Sequence, residues 1–225
     1  MCIRDSYEYS VVIEDIVEVQ ALSSLRRFYT DDAGYALATQ VDNDLFTICE
    51  GLQGGTVGGS GAALWEKAVI GGDGTTLFTG NSSNDSDITD AGIRKMILKL
   101  DNADVPMDGR FMIIPPIAAN DMLGINRFTE QQYIGNGEAI KTGKIGSIYG
   151  IDVYVSSNCP TIESGAARVG VMMHKDALAL VEQMGVRSQT QYKQEYLGDL
   201  FTSDTLYGVG ELRDTAGVAF VVPAT

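Results

Sequence analysis

The chain has 225 residues, 44% of them hydrophobic, and a mean hydropathy of +0.02, enough apolar material for one large domain or two smaller ones with their own cores. Sixteen basic against thirty acidic side chains leave a formal charge of −14, which opposes attachment to phosphate backbones, a contact made by clustered Lys and Arg. No window reaches the apolar length of a membrane-spanning helix, and the N-terminus lacks the basic, apolar, small-residue order of a secretory signal.

The first six residues, MCIRDS, resemble one reading frame of a sequencing adapter, so residues 1–6 are read as a scar and the natural chain is expected to begin upstream of Tyr7. Tyr7 to Ile13 alternates and is rich in β-branched and aromatic residues, as a strand is. From Ile16 the apolar positions Val19, Leu22, Leu25, Phe28, Ala33, Leu37, Val41, Leu45 and Ile48 recur every three to five residues, predicting a long amphipathic helix stopped by Gly51. Thr30 to Asp32 offers a cap for a second helical segment within it. The glycine-rich stretch from Gly51 to Gly61 lacks the Lys and Ser or Thr of a phosphate loop, because Ala62 and Ala63 follow Gly61, and it reads as a connector. Gly71 to Asp87 reads as a solvated loop. Its Asn81 and Asn84 triplets fit the glycosylation rule without a secretory route, and its aspartates lack the glutamate that closes a calcium loop.

Order returns at Asp87. Ile88, Ile93, Ile97 and Leu100 share one face of a helix that Thr89 or Asp90 can cap and that ends before Pro106. Asp108-Gly109 turns the chain, and "RFMIIPP" is a short buried strand closed by prolines. A short helix follows in "IAANDMLGINRF", then a turn at Gly150 and a strand from Ile151 to Ser156. "VGVMMHKDALALVEQM" reads as a strand that becomes a helix near Lys175. The stretch from Arg187 to Pro223 alternates polar with aromatic or aliphatic residues in long strands, ending in a buried run from Val218 to Val222.

The chemistry-bearing residues do not converge. Nucleophilic catalysis needs a base, and the only histidine, His174, sits at the expected strand-to-helix junction, where a helix-start or packing role fits better. Cys49 and Cys159 are far apart and outside metal-ligand spacing, so they read as small buried hydrophobes in a reducing compartment. Adjacent Asp31 and Asp32 point apart on a helix. Arg110 could bind an anion, although an arginine after such a corner more often makes an ion pair that fixes it. Ten tyrosines and Trp65 lack the basic interleaving of a single-strand-binding surface. Neither a catalytic residue, nor a cofactor, nor a metal site is indicated.

The order of motifs resembles the major capsid proteins of tailed bacteriophages of the short-tailed group, with the Hong Kong 97-like fold. A helix followed by Leu100, Asp101, Ala103, Val105, Pro106, Gly109, Arg110 and Pro115 matches that family's Leu-Asp-x-Ala-x-Val-Pro-x-x-Gly-Arg, strand and proline. "GKIGSIYGIDVYVSSNCP", with Gly150 and Tyr154, is a second match, although Pro160 sits one place early; "HKDALALV" followed by "DTLYGVGELR", with Tyr207 and Gly208, is a third.

The resemblance implies an α+β fold: residues 7–53 as the end of an extended loop and a spine helix, 54–185 as an axial domain, and 186–225 as peripheral-domain strands. It implies a coat subunit that assembles as pentamers and hexamers into an icosahedral shell around double-stranded DNA, in the host cytoplasm and then in the virion. Scaffolding protein and portal are the expected partners, with neither sequence-specific DNA binding nor a membrane. By the resemblance, an N-terminal arm and most of the extended loop are expected to lie upstream of this sequence, so no crosslinking residue is transferred. Two alternatives remain: a bacterial nanocompartment shell of the same fold, and a soluble α/β binding module or enzyme.

Overall fold

The computed structural model describes residues 5–20, 25–49, 52, 69–70, 86–125, 146–162 and 165–224. The predicted loops at Gly51 to Gly61 and Gly71 to Asp87 lie almost wholly outside these residues, as do Trp65 and Leu22. The chain divides into two compact units, one of Met1–Asp44 with Leu180–Gly210 and the other of Leu45–Ala179 with Glu211–Thr225.

In the first unit, strand β1 (Asp5–Glu14) pairs antiparallel with β9 (Gly198–Glu211), which also neighbours β8 (Leu178–Lys193). Alternation along β1 turns Tyr9, Val11 and Ile13 toward one face, where Ile13 and Phe201 bury against Ala33 of helix α2 (Leu25–Cys49), with Leu25 and Tyr29 alongside. That apolar contact is small, and polar ties extend it along the helix. The Tyr9 hydroxyl donates to Asp32 at 2.6 Å, that of Tyr207 to Asp44 at 2.6 Å, and Arg26 pairs with Asp199 at 2.5 Å. Tyr7 stacks on Tyr207 with ring centroids 5.5 Å apart.

Three expectations change here. The first is the predicted break at Thr30 to Asp32: α2 runs through it as one helix of 25 residues, roughly 37 Å long at 1.5 Å per residue. The Thr30 hydroxyl donates back to the Arg26 carbonyl at 2.8 Å instead of capping a new segment. The second is the apolar stripe. Of its positions Ala33 and Leu37 are buried, whereas Ile16 and Val19 on α1 (Asp15–Gln20) and Phe28 on α2 are exposed. Intervals of three to five admit residues that drift around a cylinder of 3.6 residues per turn. The third is the helix expected from Lys175, which is a turn followed by β8. "DALALVEQM" is made of good helix formers, but the neighbouring β9 offers a full row of backbone donors and acceptors, and tertiary pairing overrides local propensity.

The second unit is a mixed sheet in the order β2-β10-β7-β3-β5-β4, with β6 (Thr161–Ile162) beside β7. Its strands are β2 (Val69–Ile70), β3 (Arg110–Ile114), β4 (Ser147–Ile148), β5 (Ile151–Val155), β7 (Ala167–His174) and β10 (Gly217–Pro223). The closing run grouped by sequence with the strands of 186–225 thus belongs to this unit, between β2 and β7. Its near-complete burial is what a continuous apolar strand inside a sheet requires. Helix α3 (Asp90–Asn102) is capped by the Thr89 hydroxyl, which accepts from the Gly92 N–H. It sets Ile93, Met96 and Leu100 into a core with Met112 and Ile114 of β3, Val218, Phe220 and Val222 of β10, and Ala118 and Met122 of α4 (Pro116–Leu123). Pro115 and Pro116 end β3 and also open α4 as its N-cap and first helical residue, where a missing N–H costs nothing. On the other face Ile162, Ala167, Val169, Ala219 and Val221 form a smaller cluster.

The hydrogen bond to the Asp32 carboxylate, helped by desolvation, pushes the Tyr9 hydroxyl up to about 12. A folded-state value above the unfolded value of about 10 means that this tie is intact below pH ~10 and is lost as pH rises toward ~12. In Asp32→Asn, ultraviolet or NMR titration of Tyr9 is expected to move back toward 10; an unmoved Tyr9 would show that the tie is absent in solution.

Candidate functional site

The residues that carry the most specific sequence motif form a corner in the second unit. α3 ends at Asn102, Asp104 takes a left-handed conformation (φ 52°), and the Val105 N–H returns to the Leu100 carbonyl at 3.2 Å. Leu100 and Val105 are both buried in the core, while Pro106 stands at the surface. Gly109 has φ 80°, which a side chain would strain, and an added Cβ would sit 3.3 Å from the His174 ring.

Arg110 opens β3 with a side chain only 2% exposed. Its Nε donates to the Pro106 carbonyl at 2.8 Å, one terminal nitrogen donates to the Val105 carbonyl, and the same nitrogen lies 2.7 Å from the Asp101 carboxylate. A planar guanidinium thus satisfies carbonyls just beyond the helix C-terminus, where positive charge also meets the helix dipole favourably. Asp101 is 40% exposed, so the ion pair is screened, and the buried bonds to carbonyl oxygens carry more of the stabilisation.

Two residues outside the corner's own motif complete it. His174 ends β7 opposite Arg110 and is buried; its Nε2 contacts the Asp108 carbonyl at 2.9 Å, and its Nδ1 accepts the Asp176 N–H at 3.2 Å. It therefore holds the turn and does not start a helix. Arg213 donates to the Ala103 carbonyl at 2.6 Å, 110 positions away in sequence, which no local pattern could announce. At the far end of α3, Asp90 accepts from the Tyr149 hydroxyl and pairs with Arg94 at 3.2 Å. Helix α3 is held at both ends.

The other motif residues have separate places. Pro115 is buried at the strand-to-helix junction. Gly150 (φ 78°) and Tyr149 (φ 52°) form the two-residue turn of the β4–β5 hairpin, the conformation that matches strand twist. Tyr154 lies exposed on β5, edge-on to Phe111 at 6.4 Å. Tyr207 and Gly208 are on β9 in the first unit. Among the described residues no three His, Cys, Asp or Glu side chains converge as metal ligands, and no helix is long and apolar enough to cross a membrane. Cys49 and Cys159 are buried, and burial pushes the Cys159 thiol up to about 12.

Two substitutions test the corner. Gly109→Val should destabilise the chain by about 2 kcal/mol or more, since a β-branched residue is forced into the left-handed region. Arg110→Lys keeps the charge but loses the planar fork and should cost roughly 2–4 kcal/mol. Urea unfolding measures both, and near wild-type midpoints would contradict the assignment.

A family model described as phage capsid protein matches residues 9–221. No curated protein matches the chain. Among solved structures, one from Mycobacterium phage Che8 superposes with a TM-score of 0.74 at 22% identity, covering 97% of this chain and 71% of that one. The capsid of Cyanophage P-SCSP1u gives 0.71 at 17% identity, over 98% and 73%. The SrpI encapsulin of Synechococcus elongatus PCC 7942 gives 0.61 at 11% identity, over 98% and 75%. At these identities the likenesses establish the fold, and it is the Hong Kong 97-like, α+β fold that the sequence motifs implied. Together with the family match over nearly its whole length, they place this chain in the phage capsid protein family, as a structural subunit of a virion shell.

Proposed function

We propose that the chain is the major coat subunit of an icosahedral head that encloses double-stranded DNA, assembling as pentamers and hexamers in the host cytoplasm. The observation that carries this reading is the family match spanning residues 9–221. In this proposal the unit of residues 45–179 and 211–225 is the axial domain around the symmetry axes, and the unit of residues 1–44 and 180–210 is the peripheral domain. The motif residues Leu100, Asp101, Val105, Pro106, Gly109, Arg110 and Pro115 keep the axial domain rigid. Gly150 and Tyr154 shape its hairpin, and Tyr207 and Gly208 hold the spine helix and sheet of the peripheral domain.

The role asks for shape, not for chemistry: a closed shell draws strength from the same interfaces repeated in every copy. A charge of −14 suits a wall that must not grip packaged phosphates. A scaffolding protein and a portal are the proposed partners. The likeness to the SrpI encapsulin supports one second reading, a compartment shell of the same fold.

Expression of the full-length gene with its neighbouring scaffolding gene, followed by electron microscopy, tests the proposal. Closed shells of uniform diameter with a portal gene and a terminase gene alongside are the expected result. Shells that package an enzyme encoded next door would favour the compartment, and a soluble monomer under all conditions would overturn both.

A further inference from the structure

Among the described residues, the first unit contains an opening that no side chain fills. On α2 the positions Gly34, Leu37, Ala38 and Val41 fall at i, i+3, i+4 and i+7, so they line one face of the helix. Across from them stand Leu180 and Val186 of β8, 50% and 57% exposed, and the buried ring of Tyr207. Two of the four helix positions carry almost no side chain, and a cleft of about 170 Å³ is left between helix and strand. That is about the room a benzene-sized group occupies in an apolar cavity, roughly 150 Å³.

Charge identifies the occupant. The described residues of this unit carry thirteen carboxylates against four basic side chains. Of those four, Arg26 and Arg187 are already paired with Asp199 and Asp204. Glu182 lines the cleft itself. Another copy of this acidic face is a poor match. β8 also lies at the edge of the three-stranded sheet, where a strand's outer backbone groups can accept an extended segment.

We infer that this cleft is a docking site for a basic, apolar-patterned segment of a partner chain, which seats an aromatic or branched side chain between α2 and β8 and places Lys or Arg beside Glu182. This goes beyond shell formation and does not depend on it. The apolar group supplies the contact area, and the cation selects the partner and makes capture sensitive to salt.

The test uses the full chain and two synthetic probes, a nine-residue peptide alternating Lys and Leu and its Glu and Leu counterpart, followed by fluorescence anisotropy. The Lys peptide is expected to bind, more weakly as salt rises, and the Glu peptide is not. Ala38→Trp, which fills the cleft without changing charge, should weaken the Lys peptide by about tenfold or more, as should Val186→Lys, a change at an exposed strand position that leaves the helix untouched. Circular dichroism identifies a variant that has lost its fold, and the other then decides. Equal binding of the Lys peptide to wild type and both folded variants would reduce the effect to general charge attraction and overturn the site. Binding of the Glu peptide, or of neither peptide, would overturn it as well.

Discussion

One buried guanidinium fixes the second unit. Arg110 is the first residue of β3, yet its side chain reaches back to the carbonyls of Val105 and Pro106 and to Asp101 near the end of α3. Helix, turn and strand therefore cannot move apart without leaving a buried charge and two carbonyls unpaired, a loss of several kcal/mol. The left-handed Gly109 lets the chain reverse tightly enough to put Arg110 there, and His174 holds the Asp108 carbonyl from the adjoining strand. Arg213, arriving from the β9–β10 connection, satisfies one more carbonyl at the same helix end.

The first unit is held differently. Its helix buries little apolar surface on the three-stranded sheet, and phenol–carboxylate bonds at Asp32 and Asp44 supply ties spaced along α2. A subunit of a closed shell benefits from both designs. The corner keeps the shape of the second unit fixed, whereas α2, attached mainly by spaced polar bonds, presents exposed apolar side chains such as Phe28 and Tyr35 to whatever packs against it.

How much of this was legible depends on whether the cause was local. The α3–β3 corner could be read because each step has a local signal: Thr89 at the helix start, Pro106 after its end, Asp108-Gly109 at the reversal and an apolar run into Pro115. The C-terminal strand was equally plain from its unbroken apolar run. The first half of β8 was not legible, since "DALALVEQM" favours a helix and only the distant β9 makes it a strand, whereas its second half, from Arg187, was read as strand from its alternation. The long helix was legible from its apolar spacing, but the sequence left open a second cap at Thr30 to Asp32, because a hydroxyl that caps in one context back-bonds in another. His174 was read as a helix-start or packing residue, but the partners of His174 and Arg213 could not be assigned from sequence, because they lie 66 and 110 positions away.

Native-state hydrogen exchange at the corner tests the central claim most directly. The Val105 N–H, bonded to the Leu100 carbonyl, and the Lys175 N–H, bonded to the Gly109 carbonyl, should exchange only with the global unfolding of the second unit, at the same free energy as the amides of β10. Exchange of these two amides by local opening, while β10 stays protected, would show that Arg110 does not hold the helix to the strand and would contradict the account.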